Sequence, residues 1–347
     1  MTPNLPSPID VLVAGAGPAG TAAAAHLARG GARVLLVEAR QRLAVKPCAG
    51  GLTRHALAEA PLPDAVPRRA SSAIRVVSSA GPAWLEDDGP LVTVIDRGAW
   101  LEHRLREAQE AGVIVARGVR LLDVTGPGTA ATSHGVVRAG AVVDATGAGS
   151  RLRRSTGLAG GDRLRTVQLV VPEGRWPGPI PPLTVWYDPP RIGAGYGWIF
   201  PGPGEIRVGA GGRAARLPFA RLHEALAAFL STFGLRPESG ALRSAFIGCD
   251  YAGHRFDRLW LAGDAAGLAS PLTGEGIHQA LVSGREIARE ILEPGYRSTV
   301  LPALGRRHRR TLAVLERPGL AALLYPRAAG AFANPVLRRI ILDRYVY

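Results

Sequence analysis

The chain has 347 residues, 47% hydrophobic and 20% charged, an ordinary globular composition long enough for one large or two interlocked domains. Two cysteines, Cys48 and Cys249, exclude a disulfide framework or a metal centre, and no apolar run approaches the ~18 residues that span a bilayer. The net charge of +14 is scattered and carries no interleaved aromatics, so no nucleic-acid partner is expected. A solvated basic face, an acidic partner and an anionic membrane surface stay open. The start, MTPNLPSPIDVLVAG, has no basic stretch followed by an apolar run, so no signal peptide is expected. The expected location is cytoplasmic, with contact at the inner face of the membrane as the variant.

The apolar run at 9–14 reads as a buried strand, followed by Gly15-Ala16-Gly17-Pro18-Ala19-Gly20. An alanine-rich helix over 21–29, closed by Gly30-Gly31, and a second strand over 32–37 ending at Glu38 complete the unit. A lone G-x-G-x-x-G is weak, but here strand, helix, second strand and acid all stand in place. Gly15 permits the tight turn, Gly17 lets the backbone approach a pyrophosphate, and Gly20 lets helix and strand pack closely. Pro18 suits a helix start, whose free N–H groups receive phosphate. Glu38, followed by Ala39 and Arg40, accepts from the ribose hydroxyls and repels a 2′-phosphate, which excludes NADP as the tightly held nucleotide.

Next comes Ala44 to Leu52, AVKPCAGGL. It holds Lys46, the one lysine among 42 basic residues, and Cys48, Ala49 and Gly50. Strands are expected at 74–78, 91–95, 166–171, 183–187, 196–200 and 205–210, some separated by Pro/Gly turns. A strand at 142–144 runs into Ala145-Thr146-Gly147. Tyr196 and Trp198 alternate, so their rings share one sheet face, where they either pack the core or line a substrate cavity.

Strand 257–262 ends in Gly263-Asp264. A carboxylate repels phosphate and suits a polyol, so a flavin ribityl chain is its natural partner. Pro271, Gly274, Glu275, Gly276 and Ile277 lie where a long helix opens, running to about 292. Its N–H groups, from Thr273 to Ile277, suit a flavin ring that becomes negative on reduction. Arg306-Arg307-His308-Arg309-Arg310 is a local basic cluster. The remaining tail is expected to be helical, basic and apolar by turns through 337–342, as a packing helix or a membrane contact.

Taken together, residues 9 to 292 resemble the FAD-binding fold of the para-hydroxybenzoate hydroxylase superfamily. Residues 95–101, IDRGAWL, resemble that group's D-R-x-x-F helix start, which implies that Arg97 lies near FAD. Lys46, Cys48, Gly50, Gly51 and Leu52 are similar to the K-x-C-G-G-G-L stretch of geranylgeranyl reductases, with Ala49 in place of a glycine. Tyr196, Trp198, Phe200 and Pro201 match the later part of that family's P-x-x-Y-x-W-x-F-P signature, with Gly193 at the leading proline. EIRVGAG at 205–211 and GDAAGLASPLTGEGI at 263–277 resemble its next strand and its flavin-proximal segment. Halogenases with W-x-W-x-I-P are a minor alternative.

The resemblance implies an α/β fold: a Rossmann-like FAD-binding domain over 1–70, 95–160 and 245–300, with an inserted antiparallel β-sheet substrate domain over 71–94 and 161–244. A C-terminal helical segment takes 301–347. It also implies an FAD-dependent oxidoreductase that reduces a C=C bond of a hydrophobic, isoprenoid- or polyketide-like substrate. Cys48, with Lys46 beside it, is the candidate proton donor, against an inert thiol as the alternative. A monooxygenase or dehydrogenase of specialised metabolism is the runner-up. An RNA-associated flavoprotein and an FAD-bound structural protein are the alternatives from other classes. With no second G-x-G-x-x-G, electrons are expected from transient NAD(P)H or from an acidic protein donor such as ferredoxin.

Overall fold

The run Ile9–Ala14 forms a central strand of a mostly parallel sheet in the computed structural model, which describes residues 5–126, 128–158, 163–237, 241–315 and 317. From one edge the order is Arg255–Phe256, Leu259–Leu261, Gly135–Asp144, Ile9–Ala14, Val34–Glu38 and Ile114–Arg117. Val11 sits opposite both Ala141 and Val34 in parallel register. Leu12 and Val13 are both fully buried. Successive residues point to opposite faces, so both faces of this sheet are covered, as a parallel sheet requires. The strand that the sequence suggests at 142–144 in fact begins at Gly135. Its first half alternates exposed and buried residues and pairs antiparallel with Thr129–Thr132, an arrangement that the apolar run alone does not reveal.

This sheet belongs to the first of two units, Met1–Val45, Gly98–Asp162 and Ile247–Arg309. Its helices Pro18–Arg29 and Ile277–Leu292 approach backbone to backbone. A Cβ on Gly284 would stand 2.5 Å from the Ala19 carbonyl oxygen and 2.8 Å from the Ala23 nitrogen. The alanine run of the first helix is therefore a close-packing surface for the second.

The second unit is Lys46–Arg97, Arg163–Phe246 and Arg310–Tyr347. Residues 46–70, expected with the FAD-binding domain, group here because Gly51–Thr53 and Arg68–Ser71 pair with Val92–Ile95 in a three-stranded sheet. A larger sheet runs Arg243–Gly248, Arg163–Pro172, Glu205–Arg213, Tyr196–Pro201, Thr184–Trp186, Ala73–Ser78 and Gly81–Glu86. Helix Phe219–Ser231 covers one face, burying Leu222, Ala225, Leu226 and Leu230 at helical spacing with Val167, Ile206 and Val208. Trp186 stacks on its Phe229 with ring centroids 4.2 Å apart.

Helix Val300–Leu315 carries the basic cluster with Arg306, Arg307, Arg309 and Arg310 exposed and His308 buried. The expected tail at 337–342 lies outside the described residues. No described helix is long and apolar enough to cross a membrane.

Candidate functional site

In the first unit the three glycines of the fingerprint divide the labour by geometry. Gly15 has φ +104°, and a Cβ there would meet the Ala145 carbonyl oxygen at 2.5 Å. A Cβ on Gly20 would stand 1.8 Å from the Gly15 carbonyl oxygen. On Gly17 it would meet nothing within 4 Å. Gly15 and Gly20 are thus required by the fold, and Gly17 keeps one side of the turn open for a ligand. Gly17 is also the N-cap of Pro18–Arg29 and offers no side-chain cap, so the first N–H groups of the helix have no side-chain acceptor there. Glu38 closes against this turn, accepting from the Ala16 nitrogen at 2.8 Å and from the Arg40 nitrogen at 3.0 Å.

Two further segments join the same region of the unit. Gly263, at φ +57°, is wedged where a Cβ would come 3.1 Å from the Ala19 Cβ and 3.3 Å from the Ala280 Cβ, so it touches both helices near their starts. Its nitrogen donates to Ser283 Oγ at 2.9 Å. The neighbouring Asp264 carboxylate reaches Gly276, whose Cβ would lie 3.1 Å from Oδ1. The helix starts at Ile277, the last residue of the 273–277 opening expected, with Gly276 as an uncapped N-cap. The amides of Thr273, Gly274 and Glu275 are already bonded inside a turn, to Ser270 Oγ, the Ser270 carbonyl and Thr273 Oγ1. Helix-start amides that meet a ligand therefore belong to the first turn from Ile277, not to 273–275. Pro271 stands in this turn.

Ala145-Thr146-Gly147 is held by Asp144, a residue that no motif marks in the sequence. Buried at the end of its strand, Asp144 accepts from the Thr146 nitrogen at 2.9 Å, from Thr146 Oγ1 at 2.6 Å and from Ser150 Oγ. Burial pushes its carboxyl up, and the Ser150 and Thr146 hydrogen bonds oppose that shift. Arg153 is a second silent organiser. Its buried guanidinium donates to the Ala265 carbonyl at 3.0 Å and pairs with Asp250 at 2.9 Å, fixing the loop after Gly263-Asp264. An open glycine turn, two uncapped helix starts, Glu38 and Asp264 fit the pyrophosphate, ribose and polyol of FAD.

In the second unit, Lys46, Cys48, Ala49, Gly50 and Arg97 come together. Arg97 Nη1 donates to the Lys46 carbonyl at 2.7 Å, while its Nε is buried with no partner among the described residues. Cys48 is half-buried, and its Sγ accepts from the Gly50 nitrogen at 3.4 Å. Arg207 donates from Nη1 to the Ala49 and Ile95 carbonyls at 3.0 and 3.1 Å and pairs with Glu205. Gly50, at φ +76°, leaves room for that guanidinium, since a Cβ would stand 2.1 Å from Nη1. Gly51 lies under Phe200, where a Cβ would meet Cε2 at 2.7 Å. The three stretches KPCAGGL, YGWIFP and EIRVGAG therefore converge.

Tyr196 and Trp198 do share a face, with ring centroids 6.0 Å apart, and Tyr187 joins them 6.3 Å from Tyr196. Trp198 lies flat over its cross-strand partner Gly209, where a Cβ would come within 2.2 Å of the ring. It is 7% exposed, and its Nε1 has no partner among the described residues. Packing on its own sheet thus fixes Trp198, while Tyr196 and Tyr187 are half-buried. Burial raises the Tyr187 hydroxyl to about 12, so it is a donor at any physiological pH. The Cys48 loop meets this strand at Phe200, and Tyr196 is about 13 Å further along at the usual strand rise.

The pyridine nucleotide-disulphide oxidoreductase family model matches residues 9–170. A digeranylgeranylglycerophospholipid reductase of Methanopyrus kandleri is 32% identical, covering 82% of this chain and 81% of its own. A menaquinone reductase of Mycolicibacterium smegmatis is 30% identical, covering 91% of this chain and 84% of its own. Among solved structures, a geranylgeranyl bacteriochlorophyll reductase-like protein of Thermoplasma acidophilum shares the fold with a TM-score of 0.73 at 23% identity, over 97% of this chain and 92% of that one.

Proposed function

The chain belongs to the geranylgeranyl reductase family of FAD-dependent oxidoreductases, and from that premise we propose that it reduces a carbon–carbon double bond of an isoprenoid-like substrate. When bound, reduced FAD supplies the electron pair, as a hydride, to one carbon of that bond. The chain contributes position and the proton. The turn at Gly17 and the helix start at Pro18 hold the pyrophosphate, Glu38 the adenosine ribose, and Asp264 the ribityl hydroxyls. Ala39, Arg40, Ala145, Thr146, Gly147 and the 271–277 segment shape the rest of the pocket, and in the second unit Arg97 holds the Lys46 carbonyl and so the Cys48 loop.

Cys48 Sγ delivers the proton to the second carbon. The Gly50 N–H that bonds this sulfur also receives the charge left when the proton departs, and solvent restores the thiol. Lys46 adds positive charge two residues away. Tyr187, Tyr196 and Trp198 offer the apolar, aromatic wall that an isoprenoid needs. Reducing equivalents reach the flavin from transient NAD(P)H or from an acidic protein, a reading supported by the single dinucleotide fingerprint and the +14 charge.

One observation carries the reading: the family's cysteine loop is held against the strand that bears the family's aromatic signature. The test is Cys48→Ser in the FAD-loaded enzyme. We expect flavin content and photoreduction to stay as in the parent, while reoxidation by geranylgeranyl diphosphate or menaquinone slows about 100-fold or more. Unchanged reoxidation would remove Cys48 from the proton step.

A further inference from the structure

Arg207 does more than join two sheets. The oxygen it bonds, that of Ala49, and the nitrogen that bonds Cys48 Sγ, that of Gly50, belong to the same peptide group. The guanidinium sits at one end of this peptide at 3.0 Å, and the thiol sits at the other at 3.4 Å. A cation on a carbonyl oxygen draws electron density through the amide and makes its N–H a stronger donor, and hydrogen bonds in series reinforce one another where solvent is excluded. Arg207 is only 6% exposed.

We propose that Arg207 is the positioning residue of the Cys48 thiol, setting the orientation and donor strength of the Ala49–Gly50 peptide. The inference rests on the reading of Cys48 given above. The surrounding bonds leave the peptide no alternative orientation. Ile95 donates its N–H to the Gly50 carbonyl at 3.0 Å and accepts from Arg207 at 3.1 Å, so the loop is fixed on both sides. Glu205 accepts from Nε of the same guanidinium at 2.8 Å and from Nη2, which orients its plane. Glu205 is more exposed, its side chain 37% accessible against 8% for Arg207, so the positive end faces the loop and the negative end faces water. The glycine at position 50 follows from the same device: the left-handed conformation turns the chain, and the missing Cβ admits Nη1.

Thiol alkylation tests this without turnover, because Cys249 is 1% exposed and Cys48 is half-buried, so the fast iodoacetamide signal belongs to Cys48. The FAD-loaded chain, with Cys48→Ser as the blank, is compared with Arg207→Met, Arg207→Lys and Glu205→Gln. Arg207→Met should lower the alkylation rate at pH 7 roughly 3- to 10-fold and move the pH profile of alkylation upward. Arg207→Lys, which keeps the cation, should recover at least about half of that loss. Glu205→Gln removes the counter-charge, keeps an acceptor at a half-exposed position, and should raise the rate about twofold, which reads the relay even where Arg207→Met does not fold. A rate in Arg207→Met equal to or above the parent's overturns the proposal, as does a rate in Glu205→Gln at or below it. Slow turnover in Cys48→Ser with unaltered alkylation in these variants would refute the relay and leave the proposed function standing. The converse pattern would separate the two the other way.

Discussion

Gly17→Ala and Gly20→Ala should act in opposite directions, although the two residues share one turn. Gly17 has φ −77°, which alanine adopts freely, and its Cβ would meet nothing within 4 Å. Alanine there restricts the unfolded chain and should stabilise the cofactor-free protein by ~0.4–1 kcal/mol. On the proposed reading of the turn, the same methyl would stand where the pyrophosphate approaches the backbone. Loss of two charge-assisted N–H bonds, at roughly 1.5 kcal/mol each, corresponds to about 100-fold weaker FAD binding. Gly20→Ala instead drives a Cβ to 1.8 Å from the Gly15 carbonyl oxygen. Neither backbone can yield without opening the helix–strand contact, so the cost is about 3 kcal/mol or more, with a melting temperature some 6–12 °C lower. Melting of the apoprotein and FAD titration by flavin fluorescence measure both effects. A Gly17→Ala protein that binds FAD like the parent, or melts well below it, would refute the assignment of the open side of the turn to the cofactor.

Further outcomes follow from the same geometry. Arg153→Met leaves Asp250 and the Ala265 carbonyl without their buried partner and should cost about 3–5 kcal/mol, read by denaturant titration. In the first unit, burial pushes the Glu290 carboxyl up, but hydrogen bonds from His254 (3.0 Å), the Ser298 nitrogen (2.8 Å) and Trp260 (3.1 Å) outweigh it and bring it from 4.5 down to about 2. The stability this gives is fully present above pH 4.5 and disappears as pH falls through about 2, so Glu290→Gln should flatten that leg of a pH–stability curve. His308 is lowered by burial from 6.5 to about 4, so the fold resists its protonation. Stability is expected to decline from pH 6.5 downward, and His308→Gln should remove this earlier decline in the same titration. Gly209→Val would drive a side chain into the Trp198 ring and should tilt it off the sheet, raising KM for an isoprenoid substrate several-fold with flavin content unchanged.

The cofactor half was legible in the chain because its signals are local. Strand, glycine turn, helix and Glu38 follow one another within thirty residues, and each has its own periodicity or steric rule. Gly263-Asp264 was legible for the same reason. What escaped depends on partners distant in sequence. Arg207 looks like an ordinary strand residue in EIRVGAG, yet its acceptors lie 158 and 112 positions away. Arg153 reaches across 112 and 97 positions to Ala265 and Asp250, and nothing in RLRRS distinguishes it from its neighbours. The strand Arg68–Ser71 was silent because RRAS has no apolar alternation; pairing with Val92–Ile95 makes it a strand. The helix Phe219–Ser231 did carry a signal, the stripe at 222, 225, 226 and 230. Within the opening expected at 273–277 the helix starts at Ile277, because Ser270 and Thr273 side chains compete for the preceding amides, the usual behaviour of these residues near helix starts.

The central claim is reduction by electrons held on FAD, with the proton from Cys48. A single turnover measures it most directly: the FAD-loaded chain, reduced without oxygen, is mixed with geranylgeranyl diphosphate or menaquinone in deuterated and ordinary water, and the product is weighed by mass spectrometry. The account predicts anaerobic turnover and a product heavier by two hydrogens, both of them deuterium in deuterated water because the N–H of reduced flavin exchanges with solvent as the thiol does, and formed more slowly in Cys48→Ser. A product that forms only with O2 present and carries one of its oxygen atoms would contradict it and make the chain a monooxygenase.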